Sequence, residues 1–206
     1  MKKPQNSTLI NVCIIPSDEV GKEYIKISQS LKSNDTVFVL DGETKFPHMT
    51  VYMARFANNQ VDNVVEATKK ALVGVERFIC KHTGYFMTKG RYFEASYEKT
   101  VPFVSLHARL IDALKEYRIN PMNPFEEGYF TPYTEEQQKN AKETGYDLAN
   151  ELFRPHVTLT RYFEDRVPDK NPETPLIDLS FPLSKICVYL ADDNGAVHTK
   201  IEECIV

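Results

Sequence analysis

Residues 45–56 read KFPHMTVYMARF and residues 152–163 read LFRPHVTLTRYF, with His156 falling 108 residues after His48. Each stretch runs aromatic, Pro, His, apolar, Thr, apolar, with one arginine slipped between the aromatic and the proline in the second copy. The chain holds five histidines and fifteen threonines in 206 residues. A given histidine therefore meets a threonine two places on in roughly 7% of cases on composition alone. Two of five doing so is about a 5% event, and the shared prolines lower it by a further factor on the order of ten. The repeat calls for a physical reason.

Both copies are rich in Val, Tyr, Phe, Leu and Thr, so both read as strands. On a strand, residues i and i+2 point to the same side. His48 and Thr50 therefore share one face, and His156 and Thr158 share another. Met49 with Val51, and Val157 with Leu159, point the other way and anchor their strands in the core. Two such strands placed side by side line a cleft with two imidazoles and two hydroxyls.

Composition sets the frame around that cleft. A chain of 206 residues with 42% hydrophobic and 26% charged residues reads as a soluble globular protein, one domain or two small lobes on one core. The formal net charge is −4, with no long basic run. An extended nucleic-acid surface is therefore not expected, whereas a small nucleotide or an RNA end is. Cys13, Cys80, Cys187 and Cys204 form no C-x-x-C pair and read as buried, reduced thiols, not zinc ligands. No signal-peptide core and no apolar run of membrane-spanning length is visible, so the expected setting is cytoplasmic, without a membrane partner and as a monomer.

Along the chain, STLINVCIIP (7–16) is a strand closed by Pro16, and 18–33 carries Val20, Tyr24, Ile27 and Leu31 at helical spacing. TVFVLDGE (36–43) is a second strand ending in an Asp-Gly turn. The first motif strand follows, and then a helical stripe from Gln60 to Val75. Residues 76–88 and 91–99 predict two aromatic strands joined by Lys89-Gly90 as a hairpin. Residues 101–118 predict a helix with Val104, His107, Leu110, Ile111, Leu114 and Tyr117 on one face. The segment 119–150 changes texture: it is rich in Pro and aromatic residues at first, and then Thr134 and Gln137 form a capping-box signature. It reads as an insertion or lid within a single domain spanning 1–206, and Tyr129 and Phe130 are candidates to stack on a base. The second motif strand and a final pair around the Asp192–Gly195 turn complete an α+β chain without regular βαβ alternation. His107 on its apolar stripe reads as a core residue. His82 and His198, each followed directly by Thr, read as surface residues.

The chemistry that suits two imidazoles and two hydroxyls is in-line cleavage of a phosphodiester or cyclic phosphate. One histidine takes a proton from the nucleophile and the other gives one to the leaving oxygen. Imidazole titrates near neutrality, so neither task needs a large shift, and threonine hydroxyls supply donors to phosphoryl oxygens. No H-x-H, HExxH or carboxylate cluster flanks the histidines, so neither a metal nor any other cofactor is expected.

The pair PHMTV (47–51) and PHVTL (155–159) resembles the two signature elements of the 2H phosphoesterase superfamily, which includes 2′-5′ RNA ligase-like proteins and cyclic nucleotide phosphodiesterases. The resemblance implies two pseudo-symmetric lobes of mainly antiparallel sheet with flanking helices, around a central groove carrying both elements. It implies His48 and His156 as the acid–base pair, Thr50 and Thr158 as phosphate ligands, and Arg161 as a substrate-binding residue. Strict alternation sets Arg161 on the face opposite His156, so that role requires a twist or a bulge in the strand. The implied activity is hydrolysis of a 2′,3′-cyclic phosphate or of a 2′-5′-linked or cyclic nucleotide. RNA end ligation, or nucleotide binding without turnover, are the alternatives.

Overall fold

The computed structural model describes residues 6–119, 133–163, 172, 174–192 and 195–206. Its elements are β1 (Ser7–Ile14), α1 (Asp18–Ser30), β2 (Thr36–Val39), β3 (Met49–Ala57), α2 (Val61–Leu72), β4 (Ile79–Cys80), β5 (His82–Met87), β6 (Tyr92–Tyr97), α3 (Val101–Leu114), α4 (Glu135–Thr144), β7 (His156–Tyr162), β8 (Phe181–Pro182), β9 (Lys185–Ala191) and β10 (Val197–Ile205). The fold is α+β, as expected. Two four-stranded antiparallel sheets, β10-β9-β1-β3 and β2-β7-β6-β5, carry one motif strand each, and β4 pairs with β8 in a two-stranded ribbon.

Local chemistry explains where elements start and stop. Pro16 ends the β1 run, and Ser17 caps α1 by accepting the Val20 amide, with Asp18 and Glu19 in its positively polarised first turn. Thr134 and Gln137 form a reciprocal capping box on α4, whose far end turns on Gly145 at φ 81°. The Asp-Gly turn after β2 is held by Asp41, whose carboxylate accepts the amides of Glu43, Thr44 and Lys45. These bonds pull the Asp41 carboxyl well below its usual range, the Thr44 hydroxyl contributing most.

Helices cover the outer side of each sheet. Helix α1 lies on β2-β7-β6-β5, inserting Tyr24 and Ile27, and the Ser28 hydroxyl donates to the Leu159 carbonyl at 2.5 Å. Helices α2 and α3 pack on each other and cover the other sheet. The two sheets are not successive halves of the chain. The sheet containing β3 takes β1 from the start and β9 and β10 from the end, so the lobes interleave and share one core.

Three expectations need correction. The run 76–88 is two strands, because Ile79–Cys80 leaves to pair with β8 before His82–Met87 joins the hairpin. Helix α3 ends at Leu114, and its inward face is Phe103, Leu106, His107, Leu110 and Leu114; Val104 is 38% exposed. A stripe drawn through Val104 is rotated by about one residue from the one that packs, which runs through Phe103 and Leu106. Finally, His82 is not a surface residue. It is half-buried between Tyr85 and Tyr97, its Nε2 has no partner among the described residues, and burial lowers its pKa. A bulge at Thr83 in β5 sets His82 opposite Tyr97 and so turns it inward. His198 is exposed.

Candidate active site

Strands β3 and β7 are in contact, and each also meets a helix, α3 against β3 and α1 against β7. His48 sits immediately before β3 and His156 opens β7, both partly exposed. Each imidazole is fixed the same way. Nδ1 of His48 lies 2.9 Å from the Phe46 carbonyl, and Nδ1 of His156 lies 2.8 Å from the Arg154 carbonyl, each two residues back. A carbonyl only accepts, so the proton sits on Nδ1 in both neutral rings and Nε2 is left for chemistry. His48 has its pKa lowered, chiefly by burial and further by charge on His156, while the carbonyls of Phe46 and Gly195 and the Asp192 carboxylate act against this.

The threonines follow alternation. Thr50 is 9% exposed and Thr158 partly exposed, each on its histidine's face. Past them, both strands break register in the same place. In β3, Thr50 pairs with Cys13 and Tyr52 with Val12, so Val51 is an extra residue. In β7, Thr158 pairs with Glu94 and Thr160 with Phe93, so Leu159 is extra. Each bulge falls three residues after its histidine. Leu159 and Thr160 both point into the core at 0% exposure, and Arg161 emerges on the face of His156 and Thr158. The bulge that an Arg161 role required is present. Its guanidinium lies 4.9 Å from the centre of the Tyr92 ring, and Nε donates to the Gly90 carbonyl at 3.3 Å.

Two groups at the groove escaped the sequence reading. Glu94, 3% exposed, stands opposite Thr158 on β6. It takes both terminal nitrogens of Arg154 and lies 3.7 Å from His156 Nε2 through Oε1. Asn11, 0% exposed, donates from Nδ2 to Thr50 Oγ1 at 2.9 Å and to the Gly195 carbonyl at 3.3 Å. The available signal was a carboxylate or amide set among mostly apolar residues, Glu94 in YFEASY and Asn11 in LINVCII.

His107 is a core residue, as read, and it joins the two motif segments. It donates from Nδ1 to the carbonyl of the extra residue Val51 at 2.6 Å and accepts the Asn150 amide on Nε2 at 3.3 Å. It also stacks on Phe153 at 4.0 Å. Cys13, Cys80 and Cys187 are buried and all four thiols are free.

Residues 133–150 are anchored to the core, with Asn140, Ala141 and Thr144 buried and the Tyr52 hydroxyl donating to the Thr144 carbonyl at 2.5 Å. Tyr129 and Phe130 lie outside the described residues. Among the described residues no three His, Cys, Asp or Glu side chains gather as a metal site, and no helix is long and apolar enough to cross a membrane. A cleft between α2 and α3, with Lys70, Arg109 and Asp112 on its walls, is lined by none of the motif residues.

No protein-family model matches the chain, and no curated protein matches it in sequence. Solved structures do match along nearly its whole length. A protein described as a phosphoesterase superimposes with TM-score 0.66 at 11% identity, over 97% of this chain and 98% of the other. Escherichia coli LigT complexed with phosphate gives TM-score 0.63 at 10% identity, over 98% and 99%. TT0787 of Thermus thermophilus gives 0.59 at 17%, over 96% and 97%. The chain thus has the fold of LigT-like phosphoesterases, and the resemblance carried by the two motifs extends to the architecture.

Proposed function

We propose that the protein is a metal-independent phosphodiesterase of the 2H type, acting on a 2′,3′-cyclic phosphate or on a 2′-5′-linked or cyclic nucleotide. One observation supports this above the rest. Two imidazoles at the starts of two strands in contact are each locked through Nδ1 by the carbonyl two residues back, and each has a hydroxyl on its own face. A phosphate between them meets a base on one side and an acid on the other. The base accepts a proton from the attacking water at Nε2, and the acid delivers one to the departing ribose oxygen. Thr50 and Thr158 donate to the phosphoryl oxygens as charge builds there. Arg161 adds a fixed positive charge on the same face. The donor set needs no metal to move either proton.

The test is a panel of 2′,3′-cyclic, 3′,5′-cyclic and 2′-5′-linked nucleotides incubated with enzyme in EDTA, with each product identified by chromatography and phosphorus NMR. Hydrolysis of at least one class in EDTA is expected. Activity lost in EDTA and restored by Zn²⁺ or Mn²⁺ would point to a metallohydrolase instead. Joined RNA ends would reassign the protein as a ligase, and binding without any product as a nucleotide-binding module.

A further inference from the structure

We infer that Asn11 is a positioning residue that fixes the direction of the Thr50 hydroxyl, so that its proton is presented to a phosphoryl oxygen in the groove. The inference rests on the proposed function and refines it. The Gly195 carbonyl stands 3.3 Å from the Asn11 amide, and a carbonyl only accepts; the facing atom is therefore the amide nitrogen. That same nitrogen lies 2.9 Å from Thr50 Oγ1, so Thr50 is obliged to accept. A hydroxyl has one proton, and once its oxygen is occupied by a donor the proton is directed elsewhere. Among the described residues Thr50 Oγ1 donates to no acceptor, and by strand alternation it lies on the face of His48.

Asn11 is an expensive choice for a merely structural position. It is 0% exposed and its Oδ1 has no partner among the described residues. A leucine of similar size would pack there without an unsatisfied oxygen. What leucine would lack is the donor. Asn11 also ties the turn between β9 and β10 to β3, and the Gly195 carbonyl it holds is one of the groups acting on His48.

The test is a double-mutant cycle with Asn11→Leu and Thr50→Val, read in two ways: turnover of 2′,3′-cyclic AMP, and binding of inorganic phosphate followed by amide NMR. Thr50→Val removes one of several phosphate donors and should lower kcat/KM by about ten- to a hundredfold, at or below the loss for a single oxyanion-hole donor. Asn11→Leu in the native background should lower kcat/KM by about tenfold. In the Thr50→Val background it should change kcat/KM by less than about threefold, because its effect passes through Thr50. Thr50→Ser should keep the sensitivity to Asn11→Leu, since the hydroxyl remains.

Additive losses in the cycle would overturn the proposal, because a residue that only braces the turn acts whether or not Thr50 has a hydroxyl. If Asn11→Leu does not fold, the smaller Asn11→Ala is run in the same two backgrounds. Alanine has neither donor nor charge, so its packing loss appears in both and the difference is the coupling. Phosphate bound by the native protein and by Asn11→Leu with equal affinity would remove the Asn11 role and leave the site reading standing. A native protein that neither binds phosphate in the groove nor turns over any diester would remove both.

Discussion

His107 offers a stability measurement whose sign and size follow from three contacts. It is 2% exposed, and its pKa is pushed down from 6.5 to about 4, chiefly by burial, against which the bond to the Val51 carbonyl works. In the folded protein Nε2 accepts the Asn150 amide, so a proton added there would face another N–H and break the bond. The unfolded chain binds that proton near pH 6.5 and the folded chain does not, so stability is full above 6.5 and falls as pH drops toward 4. The whole shift corresponds to roughly 3 kcal/mol, of which about 2 kcal/mol has gone by pH 5. His107→Asn keeps a short polar group but cannot titrate. It should carry a fixed loss of about 2–4 kcal/mol at both pH values, from the vacated volume and the lost stack on Phe153. Urea unfolding of both proteins at pH 7 and pH 5 isolates the titration, because His48, His82 and Asp147 are common to both. The native protein should lose about 2 kcal/mol more than the variant between those pH values. Equal losses would show that His107 is not held neutral by these contacts.

His48→Ala and His156→Ala should each lower kcat/KM on the order of 10²- to 10⁴-fold, and the double variant should fall far short of the product of the two. A folded double variant with full turnover would show that the repeated motif is only structural. Glu94→Gln leaves Arg154 without its carboxylate; because the Arg154 side chain is 34% exposed, solvent limits the loss to about 1–2 kcal/mol, measured as a lower urea midpoint at pH 7. An unchanged midpoint would mean that the ion pair contributes nothing to stability.

The sequence carried what is periodic or chemically marked. Tyr24 and Ile27 on α1, the α4 capping box and the spaced His-x-Thr pairs all follow from local rules, and all lie where those rules put them. What local rules miss is the partner across a strand. Glu94 faces Thr158, and Asn11 bonds Thr50, through pairings between segments 64 and 39 residues apart, and no spacing along the chain announces either. The interleaving of the lobes is equally silent, since β1 could have joined either sheet on its apolar pattern alone. Arg161 marks the boundary between the two kinds of knowledge. Alternation sends it to the wrong face, and only the pairing of β7 with β6 shows the extra residue that turns it back.

A strand that gains or loses a residue ordinarily exchanges its two faces beyond that point, which is why length changes are tolerated in loops and rarely in sheets. The two motif strands escape that rule at one position each. Deleting Leu159 would join Thr158 to Thr160, restore an unbroken ladder against Glu94 and Phe93, and leave His156, Thr158 and Arg161 facing as before. Deleting Val51 would do the same for His48, Thr50 and Met53 against Cys13 and Asn11. The loss in each case is one wholly buried side chain and one held carbonyl, that of Leu159 bonded by the Ser28 hydroxyl and that of Val51 bonded by His107. A descendant of this chain could therefore shorten either strand by one residue in its interior and keep the groove's pattern of side chains intact.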